Sequence, residues 1–411
     1  MTSAFGPAGV VAGAVSLLMS GPVLGGRVPL LDLAAGGAFT RASVAARDLG
    51  PGHSRIDIVA ANVRRLEDRG DGLGPLLRTE IARNQNIIFS EQIDLLQKTN
   101  CTATANASAG PDETGGTPLV TADRIRATAG GAECNVFRAL AVGAGKIGTQ
   151  LYIKYDDAAG ATNPSTTASL EITDGTSTRN IDVALTPGMP WMLVFTEPVI
   201  TLVGAPTIRV RPHHKGVNPS INQSILVFGW NAWTDSNGIA YPTSYVPCTN
   251  PVVNFAPERL TYVVGQYDPR LLSRPAWLWW VPDHDWPGDG LFVGDDEFLS
   301  IGSDAGSGGT NSVTWGDNDG SVWVRAANAG APRARTTPIT YSRGQKMRVA
   351  WNPAAGTVRV IGATTGGEPF LVAPWDWATE AVTKDLVVAG RSTDNAHALK
   401  GRMSAPFLGS P

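Results

Sequence analysis

The chain has 411 residues and a net charge of −3; its charged fraction is 17%, against ~25% for an average soluble domain, and it holds 47 glycines and 29 prolines. A near-neutral chain with scattered Lys and Arg has no electrostatic footprint for DNA or RNA, so no nucleic-acid partner is expected. Units of about 150 residues would each bury roughly 68–70% of their unfolded surface, so two or three domains of short strands and turns can fold without metal or disulfide staples.

The N-terminal stretch MTSAFGPAGVVAGAVSLLMSGPVLGG is apolar, but no Lys or Arg precedes Arg27, and Pro7 and Pro22 interrupt any helix. It has neither the basic start of a signal peptide nor an apolar run of about 18 residues, so membrane insertion is not expected. Residues 1–100 read as an N-terminal attachment and assembly region, with one helical stretch predicted over 54–99 and broken at the DRGDGLGP run, 68–75.

From residue 101 the pattern has period two. TQLYIKYDD, RNIDVALTP, WMLVFTEPVITL, PTIRVRPHH and QSILVFGWNAW alternate β-branched or aromatic residues between Gly, Pro, Asn and Asp turns. Strands about every ten residues predict an antiparallel jelly-roll sandwich over 101–249. YPTSYVPCTN, 241–250, is too proline-rich for a central strand and reads as a stiff strap closing that sandwich. A second sandwich is predicted over 250–411 from LTYVVGQY, AWLWWVP, SVTWG, SVWVRAA, KMRVAWN and GTVRVIG. Of 12 tryptophans, nine follow the strap, so the two halves differ in composition. The fold class is therefore mainly β: an N-terminal region followed by two antiparallel sandwiches.

GGAFTRASVA (36–45), AANVRRLE (60–67), GPLLRTEIARNQNIIFSEQID (74–94) and the strap occur in an order that resembles a module common in virion proteins of tailed phages and prophages. Val63, Arg78, Asn84 and Gln85 depart from that pattern, which usually has proline, glutamate and threonine-asparagine there. The resemblance implies a carbohydrate-binding-module-like jelly roll followed by a concanavalin-like or laminin-G-like sandwich. It also implies a structural adhesin, such as a tail fibre, baseplate spike or head spike, of a phage or gene-transfer-agent particle assembled in the bacterial cytoplasm. Its expected partners are other virion proteins and a host cell-surface polysaccharide. Weak sites gain strength by avidity, so a homo-oligomer, a trimer, is expected.

The candidate site read from residue types lies in WLWWVPDHDWPGDGLFVGDDEF, 277–298. Aromatic faces stack on sugar rings while carboxylates accept hydroxyl hydrogen bonds, which nominates Trp280, Asp283, Asp285, Trp286 and Asp289 as glycan-binding residues. The three aspartates are also hard oxygen ligands at irregular spacing, so Ca²⁺ is the one cofactor left open; no other cofactor or metal is expected. WGDNDGSVW, 315–323, lacks the later glutamate of a calcium loop and reads as an Asp/Asn-Gly β-turn. Glu171 and Asp174 in EITD are the nearest approach to a pair of glycosidase carboxylates. With no G-x-S-x-G, H-E-x-x-H or P-loop, an enzyme is not expected. A polysaccharide-degrading enzyme or its accessory module, and a purely structural particle component, stand as alternatives. Cys101, Cys134 and Cys248 have no zinc-ligand spacing and read as buried thiols, with a Cys101–Cys134 bridge open.

Overall fold

The computed structural model describes residues 38–40, 45–49, 54–62, 65–68, 76–79, 83–84, 92–111, 120–143, 145–196, 200–234, 245, 247–248, 254–255, 259–262, 275–280, 282–284, 296–301, 313–318, 321–326, 334–335, 347–352, 354–362, 369–374, 386–388, 401–403 and 407–409. Among them the architecture is almost entirely β, in accord with the predicted class.

The first sandwich faces a five-stranded sheet onto a seven-stranded one. The five-stranded sheet runs Thr178–Ala184, Thr167–Thr173, Thr207–Arg211, Asn135–Ala139, Gln97–Thr99. The second has the main order Met192–Phe195, Gly145–Tyr155, Gln223–Thr234, Thr121–Ala127, Cys101–Ala109, with Ile200–Leu202 and Asn163–Pro164 added alongside. Pairing is antiparallel throughout, except where Asn163–Pro164 runs parallel to the Gln223 strand.

Alternation builds the core. In SLEIT, Leu170 and Ile172 point between the sheets; in TIRVR, Ile208 and Val210 do the same, and they meet Leu151, Ile153, Ile225, Val227 and Trp230. Each of these nine large side chains is fully buried, a burial typically worth about 1.5–3 kcal/mol apiece. The chain crosses from one sheet to the other at Asn100, which takes a left-handed φ of 48° between the Gln97–Thr99 and Cys101–Ala109 strands.

The outer face of the seven-stranded sheet is also apolar and is covered. Tyr152, Trp191, Leu193, Leu226 and Phe228 project there and are capped by Ile56 from the N-terminal region and Tyr245 from the strap. The parity of the Gln223–Thr234 strand switches at Gly229: Ile225 and Val227 face the inner core, Leu226 and Phe228 the outer cluster, then Trp230 and Ala232 the inner core again. Gly229, at φ 65°, is the extra residue of a β-bulge, since Gln150 opposes Asn231 while Tyr152 opposes Phe228.

The predicted helix over 54–99 is not what forms. Arg55–Val59 is a strand hairpinned to Ala45–Leu49, and a 3₁₀ turn at Ile93–Leu95 is the sole helical element among the described residues of that stretch. RIDIV alternates an exposed Arg55 with a fully buried Ile56, the period of a strand. Strands before residue 100 also pair with strands beyond 250. Ala38–Thr40 joins Arg259–Tyr262, Arg83–Asn84 joins Asn254–Phe255, and Leu76–Thr79 joins Gly401–Met403.

Together with Ala38–Thr40, Leu66–Glu67 and Leu76–Thr79, the described strands of the C-terminal half form a seven-stranded, a five-stranded and a four-stranded sheet, all antiparallel. Val313–Asn318 and Ser321–Ala326 pair antiparallel with Asn318 opposite Ser321, while Asp319 and Gly320, where the β-turn of WGDNDGSVW is expected, lie outside the described residues. The three cysteines are free thiols and buried. Cys101 Sγ donates to Asn135 O at 3.0 Å, and its hydrogen bond with Cys134, together with burial, pushes the Cys134 thiol up.

Candidate functional site

The five-stranded sheet turns its outer face to a cleft of about 800 Å³. Register decides what that face presents. Glu171 stands opposite Arg209, and Arg209 opposite Phe137; Thr173 stands opposite Thr207. Apolar inner positions alternate with these outer ones along the Thr167–Thr173 and Thr207–Arg211 strands, so each strand contributes its polar set to one surface.

Glu171 is the hub. Its Oε1 accepts from Arg209 Nη1 at 2.6 Å and Arg211 Nη2 at 3.2 Å, and its Oε2 meets Lys215 Nζ at 2.6 Å. Burial alone would push this carboxyl up, but the hydrogen bond from Lys215, the charge of Arg211 and the hydrogen bonds from Arg209 and Arg211 outweigh it and hold Glu171 below the usual carboxylate range. Arg211 reaches on to Glu133 Oε1 through Nε at 2.9 Å, and Asn135 Nδ2 donates to the same oxygen at 3.2 Å. His213 is buried at the cleft's end, its ring nitrogens 2.9 Å from Cys134 O and 2.8 Å from His214 O, so it is a fixed part of the wall.

Asp174 closes the other end. Its Oδ1 accepts the N–H groups of Thr176 and Ser177 at 2.8 and 2.7 Å, and its Oδ2 those of Val203 and Gly204 at 2.7 and 3.3 Å. The N–H groups of Ser177, Val203 and Thr176 pull its pKa down to about 2. A glycosidase pair needs one carboxyl kept protonated as the acid. Glu171 and Asp174 are both held ionised, so the EITD acids do not form such a pair.

Two groups set opposite pH windows. Asp174, depressed to about 2, contributes stability that is complete above about pH 4 and lost as pH falls through 2. Asp123, buried on Thr121–Ala127, is pushed up to about 6 by burial, although it accepts the N–H groups of Asp94 and Asn106. The unfolded chain then releases its proton first, so this carboxyl lowers stability as pH rises from about 4 to 6 and has no further effect above. Urea melts from pH 3 to 7 should show Asp123→Asn lacking that decline. An unchanged pH profile in the variant would show that Asp123 does not titrate there.

Of the residues nominated from sequence, Trp280 is the last residue of Ala276–Trp280 and Asp283 the middle of Pro282–His284, opposite Arg402. Asp285, Trp286 and Asp289 lie outside the described residues. The cleft of the first sandwich was not nominated. Its signal was nonetheless present, as polar residues at every second position of LEIT and TIRVR.

Comparison with protein-family models and with curated protein sequences finds no match. Among solved structures, the chain is similar to the mouse laminin alpha1 chain, domains LG4-5, at TM-score 0.25 and 11% identity, over 67% of this chain and 87% of that one. It is also similar to the N-terminal CBM22-1–CBM22-2 tandem domain of Paenibacillus barcinonensis Xyn10C, at TM-score 0.23 and 9% identity, over 81% of this chain and 98% of that one. Likenesses this loose carry no argument about fold or function.

Proposed function

We propose that this chain is a non-catalytic adhesin that binds a host cell-surface glycan as part of a phage-like particle. The observation that supports glycan binding most directly is the open cleft over the five-stranded sheet, with the half-buried Phe137 set among charged and hydroxyl side chains. Small-molecule sites are clefts of this size, with an apolar platform and a few convergent polar groups. The particle role rests on the order of motifs across 36–249, with residues 1–100 attaching the chain to neighbouring virion proteins and a trimer supplying avidity. A light-scattering mass of one chain at micromolar concentration would remove the trimer.

The 277–298 run, with Trp280, Asp283, Asp285, Trp286 and Asp289, is proposed as a second contact with the same class of ligand, and Ca²⁺ as a ligand of its aspartates. Trp286→Ala is expected to weaken adsorption to host cells ten- to hundredfold, the effect of about 1–3 kcal/mol at a stacking residue. Its melting temperature should stay put. A large melting drop, or no change in either measurement, refutes this contact.

A further inference from the structure

We infer that the cleft over the five-stranded sheet takes a neutral, hydroxyl-rich sugar in preference to an acidic one, an inference that rests on the glycan-binding reading above. Asn135 and Arg211 both line the cleft and are 4% and 3% exposed. Both donate to Glu133 Oε1, which leaves Asn135 Oδ1 with no donor and Arg211 Nη1 with no acceptor. The register that places Val136 opposite Val210 sets these two residues on adjacent strands at the same level of the sheet. Two residues of the cleft lining, adjacent in register, thus carry one unmet buried acceptor and one unmet buried donor.

A sugar hydroxyl is donor and acceptor at once and can close both. A carboxylate or sulfate could satisfy only Arg211, and would face Asn135 Oδ1 and the carboxylates of Glu133 and Glu171. The lining charges also cancel, with Glu133, Glu171 and Asp174 against Arg209, Arg211 and Lys215. The cations nearest the floor are already committed to Glu171, so no net field draws an anion in. Phe137, opposite Arg209 on the next strand, supplies an apolar ring face for the C–H groups of a pyranose.

The test is calorimetric titration of the full chain with neutral polysaccharides (mannan, laminarin, dextran) and acidic ones (polygalacturonate, alginate), in low and high salt of about 0.01 and 1 M, between which the Debye length falls from about 30 to 3 Å. The expected result is binding to a neutral polymer that is unchanged by salt. Asn135→Ala and Phe137→Ala should each weaken it about tenfold with the melt retained. Binding confined to acidic polymers and abolished by salt overturns the inference and leaves glycan binding standing. So does neutral binding that both variants leave intact but Trp286→Ala removes. Binding to neither class overturns both. The charge and salt comparison needs no variant, so it decides even where a variant fails to fold.

Discussion

Arg124→Ala should destabilise the chain by about 3–5 kcal/mol, because it strands a buried carboxylate. Arg124 Nε and Nη2 donate to Asp156 Oδ2 and Oδ1 at 2.6 and 3.0 Å, with side chains only 7% and 0% exposed. Ser224 Oγ adds a third hydrogen bond to Asp156 Oδ2 at 2.6 Å. Arg124 Nη2 also donates to the carbonyls of Ala158 and Ala159, and Arg126 Nη2 to that of Gly160, so two guanidiniums organise the loop leaving the Gly145–Tyr155 strand. Gly160 turns that loop at φ 87°, and a Cβ on it would meet Arg124 Nη1 at 3.3 Å. With the guanidinium gone, Asp156 loses its charge partner in a dry site, which costs the fold. Removing both charges as Arg124→Leu with Asp156→Leu should recover much of the loss, since an apolar replacement of a buried pair is often near neutral. Urea denaturation measures both. A single-variant loss below about 1 kcal/mol would mean that water reaches the pair and screens it.

The inner core of the first sandwich was legible because its strands keep strict alternation. Leu170, Ile172, Ile208 and Val210 can be assigned to the buried face from SLEIT and TIRVR alone. QSILVFGWNAW was legible as a strand but not as a bulged one, because Gly229 reads as an ordinary interruption until the opposing register of Gln150 and Tyr152 is known. The helix expected over 54–99 failed for a related reason. Strands such as Leu76–Thr79 and Arg83–Asn84 find their partners at Gly401–Met403 and Asn254–Phe255, and a short charged run carries no local trace of a mate so far along the chain. The cleft was hidden in the same way. Glu171, Arg209 and Phe137 become neighbours only through sheet order, and each alone is an unremarkable outward residue of a strand. The tryptophan-rich run 277–298, by contrast, announced itself through composition, which nominates residue types without saying what surrounds them.

Tyr245→Ala should cost about 3–5 kcal/mol, the range for removing a large buried aromatic from a core. Tyr245 sits in the proline-rich strap yet is fully buried, and its ring meets Phe228 edge-on at a centroid distance of 5.0 Å. Phe228 in turn lies 6.1 Å from Tyr152, so the strap completes an aromatic row on the outer face of the seven-stranded sheet. Gly229 makes room for it: a Cβ there would stand 3.1 Å from Tyr245 Cδ2. Three residues on, Cys248 is buried as well. A strap that merely linked two sandwiches would leave both side chains in water. This one is instead held against the sandwich it follows, beside Ile56, which belongs to the same cluster and whose N–H donates to Pro111 O at 2.5 Å. At roughly 2–4 °C per kcal/mol for a domain of this size, the variant should melt about 6–20 °C lower. Protease sensitivity should rise at the strap and at the Ala45–Leu49/Arg55–Val59 hairpin together. Tyr245→Phe, which keeps the ring, should retain most of the stability. A Tyr245→Ala melt within about 0.5 kcal/mol of the parent, the range of ordinary surface changes, would show that the strap rests on the sheet without holding it.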